Sequence, residues 1–273
     1  MASSQHPDNF PSIWSHAWGQ DQYGLWQRIR LNGVSQVMRW IPPGAFEMGS
    51  PKDEQDRRGN EVLHKVTITK GFWMADTACT QELWIAVMGQ NPSHFTDSSQ
   101  LPVEKISWDD CRDFVDKANA MLRGQFVFSL PTEAQWKYAC RAGTQTPFHF
   151  GESADANQAN FDGGYPYSRG ARGRNRKRTV DVLSFSPNPW GLYQMHGNVW
   201  EWCEDWFGDY PEAAVTDPEG PVEGRGRVLR GGSWFFDARG LRSARRDASA
   251  PGLRYHYIGF RLAGGDPLAG DSK

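Results

Sequence analysis

Several things are missing from this 273-residue chain, and each absence removes a class of protein. No apolar run is long enough to span a bilayer, so no membrane partner is expected. The opening MASSQHPDNFPS has neither the basic nor the apolar region of a signal peptide, which makes the cytoplasm the expected location. Charge of neither sign dominates: the formal net charge is −2, which gives no general case for nucleic acid as a partner. Cysteine is scarce. Cys79, Cys111, Cys140 and Cys203 form no C-x-x-C pair and read as buried thiols rather than a disulfide framework. The seven histidines are dispersed, with no i, i+4 pair and no zinc-ligand spacing. There is no G-x-S-x-G, no P-loop and no G-x-G-x-x-G between a strand and a helix.

Glycine (29), proline (17) and tryptophan (13) are plentiful. The first two interrupt every long segment, so regular elements must be short. The tryptophans then supply much of the core, because each buries a large area. A loop-rich α+β domain with short strands and few helices is the expected fold. Strands are expected between Tyr23 and Trp40, over Ala45–Met48 and over His64–Thr69. Thr80 caps a helix from Gln81 to Met88 that Gly89 ends, and Ser107 opens a helix through about Leu122. Thr132 caps a third, Glu133–Arg141. From Gly143 to Pro189 there is little periodic structure, and the basic stretch Arg169–Arg178 reads as a solvated loop.

Five blocks together resemble the formylglycine-generating-enzyme, or sulfatase-modifying-factor, family. They are WIPPGAFEMGS, PVEKISWDDC, LPTEAQWKYACRAGT, NPWGLYQMHGNVWEWCEDW, and RVLRGGSW with IGFRLA. The resemblance covers about residues 37–263 and implies one domain there, with a variant of the C-type lectin fold. Residues 1–36 are then an N-terminal arm or linker with a first strand, and 264–273 a tail. The family includes copper oxidases, iron-dependent sulfoxide synthases, siderophore-maturing members and binding proteins, among them the variable proteins of diversity-generating retroelements. Resemblance alone does not choose among these.

The copper oxidases of the family hold copper(I) through two cysteines, and thiolates are what that soft ion requires. The matching positions here are Ala238 and Ser243, so copper is not expected and no catalytic residue is assigned. The resemblance also implies a structural calcium, with ligands from the Gln194 side chain, the Gly197 and Val199 carbonyls and the Glu201 carboxylate. Gln194 stands where Asn or Asp is usual.

The stretch Phe235–Tyr257 lies between framework blocks and follows no hydrophobic period. Its aromatic and charged residues are types favoured at recognition sites. It contains no Lys, Glu, Gln, Met or Trp. Those are the residues that adenine mutagenesis of Asn codons cannot produce, as in the variable proteins that the framework resembles. A protein-binding patch is therefore expected from Phe235, Phe236, Asp237, Gly240, Leu241, Arg245, Asp247, Tyr255, His256 and Tyr257. Trp234, Ile258 and Phe260 are expected to point inward beneath it. A metal-dependent oxidase or oxygenase of the same superfamily is the alternative.

Overall fold

The computed structural model describes residues 5–265. The first half of the chain runs β1 (Ala17–Asp21), β2 (Gly24–Leu31), β3 (Val34–Ile41), β4 (Gly44–Met48), β5 (His64–Ile68), β6 (Phe72–Ala75), α1 (Gln81–Met88), α2 (Trp108–Leu122), β7 (Val127–Ser129) and α3 (Glu133–Arg141). The second half adds β8 (Trp200–Trp206), β9 (Val215–Thr216), β10 (Arg227–Arg230), a 3-10 turn (Ala238–Leu241), β11 (Arg246–Ser249), β12 (Ile258–Gly259) and β13 (Ala263–Gly265). Among the described residues, three helices and many short strands make the loop-rich α+β fold expected from composition.

A six-stranded sheet has the order β1-β2-β3-β6-β13-β7, so the two ends of the described chain share it. β2 and β3 form a hairpin through Asn32 and Gly33, both with positive φ, the twist-matching turn for two antiparallel strands. This corrects the expected boundary at 36/37. β1 and β2 are full members of the sheet, and Trp14 before them packs edge-on against Trp73 in the core. The expected 264–273 tail also begins inside β13; residues 266–273 lie outside the described residues.

Local chemistry sets the helices. Ser107 and Asp110 form a reciprocal capping box on α2, and Thr132 with Gln135 does the same on α3. Gly89 ends α1 in the left-handed region at φ 80°. α2 buries Cys111, Phe114, Val115, Ala118 and Leu122, one face at helical spacing. Burial of a side chain such as Phe114 stabilises by about 1.5–3 kcal/mol. That face joins Trp73, Trp84, Trp200, Trp202 and Phe260 in the main core.

A four-stranded sheet, β11-β10-β8-β12, carries the C-terminal framework. The irregular region from 143 onward contributes a smaller core of Phe148, Ala154, Ala159, Phe161 and Tyr167. All four cysteines are free and buried.

Candidate functional site

The frame of the site is built from buried arginines. Arg230, Arg242, Arg246 and Arg261 are at most 1% exposed. Arg261 grips Glu201 with two bonds, Nε to Oε2 at 2.6 Å and Nη2 to Oε1 at 2.8 Å. Arg246 does the same to Glu133, at 2.8 and 2.7 Å. Arg242 reaches Glu61 through both terminal nitrogens and also pairs with Glu54. Burial alone would raise the Glu61 carboxyl; the bonds and charge of Arg242, with the Ser50 hydroxyl, bring it below its ordinary value. Arg230 donates to the carbonyls of Ser243, Ala244 and Arg245. Each arginine thus fixes the segment after β10 to a different part of the fold.

On this frame an aromatic patch faces outward. Phe235 is 54% exposed, Phe236 38% and Tyr255 38%; His256 and Tyr257 are half-buried. Their rings touch in series. Tyr255 stacks on Tyr257 at 5.2 Å, and Tyr257 stacks on Phe235 at 5.4 Å. Phe236 meets Phe235 and Tyr257 edge-on at 5.6 and 5.4 Å. Beneath them Trp234, Ile258 and Phe260 are buried. Trp234 ties the layers together: its backbone N–H donates to the Asn198 carbonyl at 3.0 Å and its Nε1 to the His256 carbonyl at 3.3 Å.

Asp237, Gly240 and Asp247 lie half-buried at the margins. Asp237 caps the 3-10 turn and pairs with Arg239. Gly240 sits beside Phe236: a Cβ there would lie 3.6 Å from the Phe236 Cβ.

Two expected patch residues are not on the surface. Leu241 is 0% exposed and packs in the smaller core with Ala238. The 3-10 turn explains this, since residues three apart share one face. Arg245 is 7% exposed, because its guanidinium folds back onto Asp247 at 2.6 Å and the Arg246 carbonyl at 2.5 Å.

Two residues not foreseen from sequence complete the patch. His94 and Phe95 come from the loop before Glu104. Phe95 meets Trp234 at 5.6 Å, and His94 meets His256 at 5.6 Å. Arg178, from the basic loop, lies over Phe95 and pairs with Asp97. Both backbone N–H groups, of His94 at 2.5 Å and Phe95 at 2.8 Å, donate to Glu104 Oε1. Burial raises the Glu104 carboxyl to about 7 against those bonds. The available signal was an aromatic residue inside the polar stretch NPSHFTDSS.

The expected calcium ligands do not fit that ion. Glu201 Oε2 already accepts from Arg261 and, at 2.6 Å, from Trp136 Nε1, while Oε1 takes the second Arg261 bond. A bidentate guanidinium supplies the positive charge, and a second cation on the same carboxylate would press against it. Gln194 Oε1 accepts from Asn198 Nδ2 at 2.5 Å, and its Nε2 donates to the Asp181 carbonyl at 2.8 Å. The longer amide bridges to a neighbouring loop. Gly197 and Val199 are buried between these side chains in sequence.

Ala238 and Ser243, at the positions where the copper oxidases carry thiols, are fully buried; the Ser243 hydroxyl donates to the Pro147 carbonyl at 2.9 Å. Among the described residues no group of three or more His, Cys, Asp or Glu is gathered as a metal site. Burial pushes the thiols of Cys79, Cys111, Cys140 and Cys203 upward, so none is an activated nucleophile. No helix among the described residues is long and apolar enough to cross a membrane.

The sheet order and the arginine frame define a C-type lectin fold of the formylglycine-generating-enzyme type. Residues 30–265 match the sulfatase-modifying factor enzyme 1-like domain, and the chain belongs to that family. It is 31% identical over 241 residues to the formylglycine-generating enzyme of Streptomyces coelicolor, covering 82% of this chain and 74% of that one. It is 43% identical over 141 residues to the serine/threonine-protein kinase pkn1 of Chlamydia caviae; that alignment covers 50% of this chain but only 21% of the kinase. Among solved structures, Treponema denticola variable protein 1 matches with a TM-score of 0.75 and 27% identity, over 89% of this chain and 99% of that one. PvdO from Pseudomonas aeruginosa matches with a TM-score of 0.71 and 25% identity, over 92% and 98% of the two chains.

Proposed function

We propose that this chain is a binding domain that presents the aromatic patch to a protein ligand. One observation carries the reading: Phe235, Phe236, Tyr255, His256 and Tyr257 form a continuous ring cluster at the surface, while Arg230, Arg242, Arg246 and Arg261 of the frame are buried. Contiguous exposed aromatic area is rare on soluble proteins without a partner, and such side chains dominate binding hot spots. The likeness to Treponema denticola variable protein 1 supports the reading, as does the restricted residue set of Phe235–Tyr257. A diversified surface is its sharper form. An imperfect repeat of the codons for residues 231–264 beside a reverse transcriptase gene would support that form; its absence would leave a fixed-specificity binder.

The domain should be tested against a displayed protein library, with binders selected on the parent chain. Those binders should lose affinity for a variant carrying Phe235, Phe236, Tyr255 and Tyr257 all as alanine. Selected binders that hold the variant equally well would refute the patch as the ligand surface.

An oxidase reading rests on the Streptomyces relative. The side chains at Ala238 and Ser243 oppose its copper form. Incubation with copper(I) and a Cys-x-Pro-x-Arg peptide should give no turnover above the metal-only control.

A further inference from the structure

Among the described residues His94 lies close to His256 and His149 to His196, and the nitrogens of the two pairs differ. His149 and His196 are 5.2 Å apart between centroids in the interior. His196 has no nitrogen to spare: Nδ1 donates to the Leu241 carbonyl at 2.7 Å, and Nε2 accepts from the His149 backbone N–H at 3.1 Å. Its role is to hold the loop.

His94 and His256 are 5.6 Å apart between centroids, tilted by 51°. Among the described residues neither ring has a hydrogen bond to its nitrogens. His94 is exposed and His256 half-buried. Both backbones are fixed, His94 by its N–H to Glu104 and His256 by its carbonyl to Trp234. Two imidazoles on a tetrahedral ion, with metal–nitrogen bonds of about 2.0–2.1 Å, place their ring centres roughly 5 Å apart. A small change about Cα–Cβ of the exposed His94 would close the remaining difference of about 0.6 Å from the 5.6 Å seen.

We propose that His94 and His256 form a two-histidine site for a zinc-class transition-metal ion at the middle of the aromatic patch. Neutral imidazole nitrogens select zinc, copper or nickel over calcium or magnesium, which prefer oxygen. Burial, with the charges of His94 and Lys105 nearby, lowers the His256 imidazole from its ordinary value. No third His, Cys, Asp or Glu joins them among the described residues. The other coordination positions therefore stay open to water or to a carboxylate, imidazole or thiolate of a bound protein. The Lys105 ammonium is exposed, so water and salt screen its charge from the ion. The site does not depend on the patch being a protein-binding surface, since the ion can be tested alone.

Zinc sulfate should be titrated calorimetrically into the chain at pH 7.5, with imidazole nitrogen shifts followed by NMR. One saturable equivalent is expected, with the shifts confined to His94 and His256. His94→Gln and His256→Gln should each weaken zinc by at least about tenfold, the loss that even supporting residues of metal sites cause. His94 is exposed, so His94→Gln should melt with the parent and is a sufficient variant by itself. No saturable binding, or binding unchanged in the double variant, would overturn the site.

Discussion

Between residues 230 and 261 the chain carries two sets of side chains placed against their usual habit. Arg230, Arg242, Arg246 and Arg261 are inside, while Phe235, Phe236 and Tyr255 are outside. The arginines can be inside because Glu61, Glu133 and Glu201 went in with them, or, for Arg230, because three carbonyls point at it. A buried charge without such partners is strongly unfavourable, so each pair allows the segment very few positions. The aromatics make no comparable demand on the fold. They gain from stacking on one another and leave much of their area in water. The frame holds shape and the patch is left for contact.

The largest effect should come from breaking the frame. Arg261→Met strands the Glu201 carboxylate with Trp136 alone and should cost about 3–5 kcal/mol in denaturant unfolding. The loss should be the same with calcium or with chelator, and the parent's melting temperature should also ignore chelator. A calcium-dependent melt would show that Glu201 serves a second cation after all.

Next comes the position that separates frame from patch within one turn. Leu241→Ala should cost about 2–5 kcal/mol, since Leu241 is fully buried, whereas Arg239→Ala in the same turn, with its side chain 62% exposed, should stay within about 1 kcal/mol. Similar costs at both positions would erase the division between the two sets.

A smaller effect follows from pH at Glu104, where the frame meets the second wall of the patch. Burial raises this carboxyl to about 7, so the folded state holds its proton more tightly than the unfolded chain does. Its contribution is complete below the ordinary carboxyl range near 4 and fades as pH rises through about 7. Glu104→Gln keeps an oxygen for the His94 and Phe95 N–H groups without ever ionising. The variant should gain stability relative to the parent between pH 6 and 8, measured by paired melts. A constant difference across that range would mean that Glu104 does not titrate there.

Smallest in stability should be the four-alanine variant at Phe235, Phe236, Tyr255 and Tyr257. Losing the two stacked pairs should cost about 1–3 kcal/mol, because each is worth about 0.5–1.5 kcal/mol beyond its buried area. The variant should stay folded by circular dichroism while losing its ligand. Unfolding would move these rings from the patch into the frame.

Much was legible from sequence where neighbours in the chain decide the outcome. Ser107 and Asp110 are three residues apart, as are Thr132 and Gln135, so the capping boxes on α2 and α3 can be read directly. The same holds for the face of α2 at helical spacing, and for Ala238 and Ser243, whose side chains cannot become thiolates. The blocks from WIPPGAFEMGS to IGFRLA carried the family.

Contacts across long separations decided the rest. Nothing in Phe95 signals Trp234, 139 residues further along the chain, yet their rings meet. The alternation of β2 and β3 marks strands, but only pairing of β3 with β6 makes the N-terminal hairpin part of the main sheet. Glu201 reads as a calcium ligand through the resemblance; only the arrival of Arg261 beside it makes it an ion-pair partner. Leu241 reads as exposed until the 3-10 turn directs it inward with Ala238. Sequence by itself determined the short-range elements, the family and the chemistry its side chains lack. Tertiary structure decided which charge meets which and which rings share a surface, because those energies exist only once distant segments are packed together.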